Sequence, residues 1–395
     1  MDRRKFIKDS ALASSLFFVP SFVKAFESVA TAQLGYRRLV IVQLAGGNDG
    51  LNTIIPHNND IYYNARPRLA ITKDIIKLND DLGFHSSLLP LRALYDNGEL
   101  SILNNVGYPN PVRSHFRSMD IWQTASDSDE YLQSGWLGRY LDAHGKKPYN
   151  AIEMDEQLSL AMKGEHFNGI ATNDYKVLYR TAKDPYFKNV LNHYNDAHLS
   201  EHNLGYLYQT MIEAKSSAKY IYENTKVRLS QQEYPQNKFA KQLKNVAQFI
   251  NSGLETKVFY TSLGGFDTHA NQQNKQARLL KQYAESVSAF VKDLKQNGTF
   301  NDTLILTFSE FGRRVKQNAA NGTDHGAANN VFIIGKNLKK AGFYNSLASL
   351  SDLDTNGDLK YEIDFRSVYA TVLSKWMNVS TEGIINSKQK TLNFI

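Results

Sequence analysis

The chain alternates between continuous apolar runs and segments that have one apolar face. Five runs rich in β-branched and other apolar residues are predicted to form strands, at 38–44, 100–106, 257–261, 302–308 and 330–335. Such runs, ended by glycine or polar residues, are typical of strands buried on both faces. Between them, 87–97 and 277–295 have apolar residues at the spacing of one helix face. This alternation predicts an α/β fold with a mostly parallel central sheet flanked by helices.

The segment of about 151–252 has a different composition. It carries many Lys, Asn, Tyr and His residues in stretches with helical periodicity. We interpret it as a helical insertion within a single α/β domain that spans 33–395. The alternative is a separate small domain.

Residues 1–32 are predicted to be an export signal. Arg3 and Arg4 form a twin-arginine pattern, a modestly apolar stretch follows at 11–23, and small residues place cleavage after Ala25 or Ala32. The apolar stretch is too short for a stable membrane span. We therefore expect recognition by the twin-arginine translocation machinery and a periplasmic or extracellular location. The alternative is an amphipathic N-terminal helix with a chance arginine pair.

The composition narrows the chemistry that is open to this protein. The 395 residues include no cysteine, which excludes a disulfide framework, a thiolate metal site and a cysteine nucleophile. The formal net charge is +7, but part of it lies in the export signal and the remaining Lys and Arg residues are scattered. We therefore do not expect nucleic acid as a partner.

Five polar loops, four of which contain glycine, follow the predicted strands or precede the last one. They are 46–52, 109–116, 264–269, 309–314 and 322–326. Because parallel strands end at the same edge of a sheet, the four loops that follow strands are expected to converge there, and the fifth, which precedes the last strand, can fold over that edge. Taken singly, each is also consistent with a turn or a helix cap.

The loops contain six candidate metal ligands, which are Asp49, Asp267, His269, Glu310, Asp324 and His325. Carboxylates gathered at one edge repel one another unless a cation lies among them. Together with neutral imidazoles they suit a divalent metal, namely zinc, calcium, manganese or magnesium. Glu310 and Asp324 are expected either to bind the metal or to orient its ligands.

The same loops supply four candidate catalytic residues, Ser114, Arg113, His115 and Arg313. A metal can polarise an ester oxygen and activate a hydroxyl group or water, which makes Ser114 a candidate nucleophile. Arg113 and Arg313 are suited to a tetrahedral oxyanion. The alternative for Ser114 is a simple N-cap of the helix that follows.

The motifs, taken in order, resemble a known bacterial export family. They are the twin-arginine leader and the segments 46–52, 113–116, 135–139, 266–269, 309–314, 322–326 and 364–366. Together they resemble the family called domain of unknown function 1501. That family in turn is similar to a remote branch of the alkaline phosphatase and sulfatase superfamily, which implies an alkaline-phosphatase-like fold. By this resemblance Asp49, Asp267, His269 and His325 correspond to metal ligands, and Ser114 falls near the nucleophile.

Two departures limit what the resemblance implies. Glu310 and Phe311 stand where the superfamily has Asp and His, so a single metal or a weakened pair is expected. The leading hypothesis is an exported metal-dependent hydrolase that acts on a sulfate or phosphate ester of a small molecule or a glycan. The alternative, favoured by Phe311, is an inactive exported scaffold or polysaccharide- or surface-binding protein of the same fold.

Overall fold

The structure is a computed structural model that describes residues 36–192, 203–225, 230–385 and 389–395. The predicted export signal lies outside these residues and stays a prediction. Within the described ranges, no helix has the length and apolar character needed to cross a membrane.

Twelve strands occur in the described part of the chain, and most belong to one central sheet. They are β1 (Arg38–Ala45), β2 (Ile54–Ile55), β3 (Ile76–Lys77), β4 (Gly83–Phe84), β5 (Leu100–Gly107), β6 (Ala151–Glu153), β7 (Ile170–Ala171), β8 (Val258–Gly264), β9 (Thr303–Phe308), β10 (Asn329–Ile334), β11 (Gly342–Phe343) and β12 (Ile363–Asp364). All five predicted strands are present, with bounds that differ by three residues or fewer.

The helices cover both faces of this sheet. They are α1 (Asp60–Ala65), α2 (Arg92–Asp96), α3 (His115–Thr124), α4 (Trp136–His144), α5 (Tyr175–Ala182), α6 (Pro185–Asn192), α7 (Asn203–Thr225), α8 (Lys238–Asn251), α9 (Gln272–Gln296) and α10 (Phe365–Thr371). The helix predicted at 277–295 lies within α9. The one predicted at 87–97 is a 3₁₀ helix (Ser86–Leu91) followed by α2, and Pro90 lies inside its first part.

The central sheet has the strand order β11-β5-β10-β9-β1-β8-β6-β7, with β12 also paired to β5. A second, small sheet has the order β2-β4-β3. In the central sheet, neighbouring strands are parallel except where β10 meets β5 and β9, whereas the strands of the small sheet are antiparallel. The predicted mostly parallel α/β sheet is therefore confirmed.

The expectation that every strand ends at the same edge is wrong for β10. This strand runs antiparallel to both neighbours, so it begins at the edge where β1, β8 and β9 end. The loop before β10, which carries Asp324 and His325, consequently lies at that edge. The strand direction, rather than a fold-over of the loop, brings these two residues to the others.

The core lies on both faces of the sheet. In β1, Val40 and Val42 pack into one hydrophobic cluster, together with α8 and α9, while Leu39 and Ile41 pack into the other. The second cluster also contains residues of α3, α4 and α10. Burial on both faces explains why the sequence of β1 is apolar at successive positions.

The segment 151–252 contributes to the sheet as well as to the helices. Its first residues form β6, which pairs in parallel with β8, and β7 extends the sheet beyond β6. Helices α5 to α8 follow. Within the sheet, Ala151 at the start of this segment lies opposite Val258, the first residue of β8, and Glu153 lies opposite Tyr260.

Candidate metal centre

The candidate site is formed by the loops after β1, β8 and β9, the loop before β10 and the start of α3. The loops after β1 and β8 approach each other closely. Gly46 has a φ of +115°, and a Cβ atom there would lie 2.4 Å from the backbone nitrogen of Asp267. A side chain at position 46 would therefore force the two loops apart.

Three histidines point the same ring nitrogen at one carboxylate oxygen. The Nε2 atoms of His269, His115 and His325 lie 3.1, 3.5 and 3.5 Å from Oδ1 of Asp267. The Nε2 atoms of His269 and His325 are 2.9 Å apart. Three imidazoles from three separate segments of the chain thus face one point beside Oδ1 of Asp267, which we call the focus.

The other ring nitrogen of each histidine is held by an oxygen atom. The contacts are His115 Nδ1 to Glu310 Oε1 at 2.8 Å, His269 Nδ1 to Asp324 Oδ1 at 3.3 Å, and His325 Nδ1 to the Arg113 carbonyl oxygen at 2.7 Å. Carboxylate and carbonyl oxygens only accept hydrogen bonds, so each Nδ1 carries the proton. In the neutral imidazole this leaves the Nε2 lone pair facing the shared focus.

The charges around the focus favour an ionised Asp267. Arg313 Nη2 donates to Oδ1 of Asp267 at 2.8 Å. Burial alone would raise the pKa of Asp267, but Arg313 and the nearby histidines lower it to about 2. The hydrogen bond to Glu310 raises the pKa of His115, whereas burial lowers the pKa of His325.

The donor set fits a metal ion. Ligand atoms of His115, Asp267 and His325 all lie within 4.8 Å of one another. Nε2 of His115 is a buried nitrogen with no hydrogen-bond partner, which is unfavourable unless another group satisfies it. Three imidazoles and one carboxylate match the preferences of zinc better than those of calcium or magnesium, which favour oxygen ligands.

Asp49 lies outside this cluster. It is 1% exposed, and its Oδ2 forms a 2.6 Å ion pair with Arg66, which is itself fully buried. Gln272 also donates to Oδ2, and the backbone N–H of Leu51 donates to Oδ1. Both oxygens of Asp49 therefore hold the loop after β1 in place.

The candidate catalytic residues differ in how free their side chains are. Ser114 is exposed at the N-cap of α3, and its side chain makes no capping hydrogen bond. Arg113 forms a 2.6 Å ion pair with Asp358. The guanidinium of Arg313 is buried and also donates to carbonyl oxygens of three loops, so it positions Asp267 and the loops around it.

Sequence reasoning did not identify two features of the site. It placed His115 among the catalytic candidates, whereas its Nε2 faces the same focus as those of His269 and His325. It also did not identify Arg66, because nothing in the spacing links this residue to Asp49. The sequence signal for His115 was its place in one of the converging polar loops, next to Ser114. No signal in the sequence links Arg66 to Asp49.

The fold and the cluster together define an α/β protein with a candidate metal centre at the carboxyl edge of its central sheet. The family described as "Protein of unknown function (DUF1501)" matches residues 99–385, more than half of the chain. The chain therefore belongs to the DUF1501 family. No curated protein matches it at a significant level.

Solved structures with remote similarity include enzymes and periplasmic domains. The C-terminal periplasmic domain of EcEptC from Escherichia coli, in complex with zinc, is 13% identical with a TM-score of 0.36, over 76% of this chain and 72% of that chain. The lipoteichoic acid synthase LtaP from Listeria monocytogenes is 10% identical with a TM-score of 0.43, over 92% and 82%. The PsFucS1 sulfatase from Pseudoalteromonas sp. is 12% identical with a TM-score of 0.40, over 93% and 74%.

Proposed function

We propose that this protein is an exported metal-dependent hydrolase of sulfate or phosphate esters. The observation that carries the proposal is the convergence of three Nε2 atoms on Oδ1 of Asp267, with each Nδ1 held by an oxygen acceptor. Electron-rich atoms this close together repel one another unless a proton or a cation lies among them. A bound cation removes the repulsion of all of them at once.

In this proposal His115, Asp267, His269 and His325 hold the ion, which is zinc by the preference of the donor set. Such an ion supplies Lewis acidity toward an ester oxygen. Glu310 and Asp324 keep the imidazoles of His115 and His269 in the required orientation.

The residues around the ion are proposed to supply the nucleophile, the donor to the oxyanion and a positioning group. Ser114 is exposed and directly precedes His115, so we propose it as the nucleophile, with a water molecule as the alternative. Arg113 keeps part of its side chain accessible and is the proposed donor to the oxyanion. Because the donors of Arg313 are already engaged, we give it a positioning role.

One observation favours the second candidate function, a metal-dependent binding protein without hydrolysis. The ring of Phe311 lies 4.7 Å from the rings of both His115 and His325. Its side chain is 2% exposed and provides no ligand atom at this place. A binding role requires only one ion, whereas ester hydrolysis by a pair of ions would need a ligand there.

The test is hydrolysis of 4-nitrophenyl sulfate and 4-nitrophenyl phosphate by the purified protein before and after chelation. We expect turnover of at least one ester, loss of turnover with EDTA and recovery with added zinc. His269→Ala should lower the rate at least 100-fold, because it removes a metal ligand.

The control is His166→Ala, at an exposed histidine outside the cluster, which should leave the rate unchanged. Bound metal without turnover of either ester would contradict the hydrolase and support the binding protein. Turnover that persists after complete removal of metal would contradict the role of the cluster.

A further inference from the structure

A polar cavity lies near the carboxyl ends of β1, β6 and β8. It has a volume of about 360 Å³ and is lined by residues of β1, β6, β8 and α3 and by the loop after β6. Gln43 in β1 lies opposite Ser262 in β8, and Glu153 at the end of β6 lies opposite Tyr260. The carboxyl ends of three adjacent strands thus form its floor, where ligands bind in open α/β sheets.

One buried polar atom at this cavity has no hydrogen-bond partner. Gln43 is 3% exposed, and its Oε1 accepts a hydrogen bond from the hydroxyl of Tyr260 at 2.6 Å. Its Nε2 is buried without an acceptor. Leaving such a group unpaired is unfavourable, so the cavity is suited to an occupant that offers it a partner.

Glu153 adds a carboxyl group to the same wall. It is 5% exposed, and its Oε2 accepts from the backbone N–H of Ser159 at 2.7 Å. Burial raises the pKa of Glu153 to about 7, so its carboxyl both donates and accepts hydrogen bonds near neutral pH. Asp155 and Glu156 also line the cavity, which disfavours an anionic occupant.

The cavity lies within reach of the metal cluster. Helix α3 begins at His115 and carries Gln123, which lines the cavity eight residues later, about 12 Å along the helix axis. Burial raises the pKa of Tyr260, and the carboxylates of Glu153 and Glu310 add to this rise, so Tyr260 is within electrostatic range of a carboxylate of each site. A ligand made of two or three linked rings spans this distance.

We propose that the cavity between Gln43, Glu153, Ser159 and Tyr260 is a subsite for an uncharged, hydroxyl-rich ring, namely a sugar residue. An unpaired amide N–H, a hydroxyl group and a carboxyl group that both donates and accepts complement the hydroxyl groups of such a ring. This inference rests on the proposed function in one respect, since it makes the ester substrate a glycan. The binding itself does not require the metal.

The test is saturation-transfer NMR on the purified protein with neutral methyl glycosides of glucose, galactose, mannose, fucose and N-acetylglucosamine. We expect transfer to at least one glycoside, with and without EDTA. Gln43→Met removes the unpaired donor, together with the oxygen that accepts from Tyr260, at similar size and should weaken binding about tenfold, the effect of one lost buried hydrogen bond to the ligand.

The matched control is Gln248→Met, which replaces a buried glutamine of α8 that lines a different cavity. It should leave glycoside binding unchanged, and circular dichroism checks that both variants fold. Transfer to none of the glycosides, or equal binding by wild type and Gln43→Met, would overturn the inference. Glycoside binding together with absent ester hydrolysis would instead count against the proposed function alone.

Discussion

The buried carboxyl of Glu153 makes the stability of the protein depend on pH in a defined direction. Its pKa is about 7 in the folded chain against an ordinary value of 4.5, because burial disfavours the charged form. Folding therefore favours the protonated carboxyl. This group therefore contributes stability that is fully present below about pH 4.5, is lost as the pH rises to about 7, and is absent above that range.

The size of this loss follows from the two pKa values. At about 1.4 kcal/mol for each pH unit, the difference between them corresponds to about 3 kcal/mol. Glu153→Gln keeps an oxygen that accepts from Ser159 but has no proton to lose. The variant should therefore gain about 3 kcal/mol of stability relative to the wild type between pH 4.5 and pH 8.

The assay is urea unfolding of both proteins at intervals over this pH range, with the difference in the free energy of unfolding plotted against pH. Glu99→Gln is the matched control, since Glu99 is also buried but pairs with Lys295 and Lys336. It should not show the same gain as the pH rises. A constant difference between Glu153→Gln and the wild type would refute the assignment of a desolvated carboxyl at this position.

Two further predictions concern the residues that support the metal centre. Arg66→Met leaves Asp49 as an unpaired buried charge and should lower the free energy of unfolding, measured with urea, by about 3–5 kcal/mol. Arg92→Met, at an exposed pair, should lower it by about 0.5 kcal/mol or less in the same measurement. Equal effects of the two variants would contradict the burial of the first pair. Glu310→Gln weakens the hold on His115 and should reduce zinc affinity about 10- to 100-fold in a chelator competition titration; unchanged affinity would contradict the orienting role of Glu310.

The main elements of the sheet could be predicted from the sequence because burial on both faces leaves a continuous apolar run. The direction of β10 could not, because an apolar run has the same pattern in parallel and antiparallel strands. This direction decides where the loop with Asp324 and His325 lies. The sequence therefore predicted that the loop carries ligands but gave the wrong physical reason for its position.

The individual roles of the site residues were harder to predict than their location. Asp49 follows a buried strand as a ligand would, yet its partner is Arg66, which only the tertiary structure reveals. Gln43 stands out as a polar residue in an apolar run, and the structure shows that it lines a cavity. Pairings such as these depend on contacts between segments far apart in the chain.

The most direct test of the central claim is the metal content of the purified protein, measured by mass spectrometry. The comparison uses the wild type, a His269→Ala, His325→Ala double variant, and a His144→Ala, His166→Ala double variant at exposed positions outside the cluster. We predict about one zinc ion per chain in the wild type and in the control, and none in the cluster variant. Equal metal content in all three folded proteins, or no metal in the wild type, would contradict the metal centre on which the account depends.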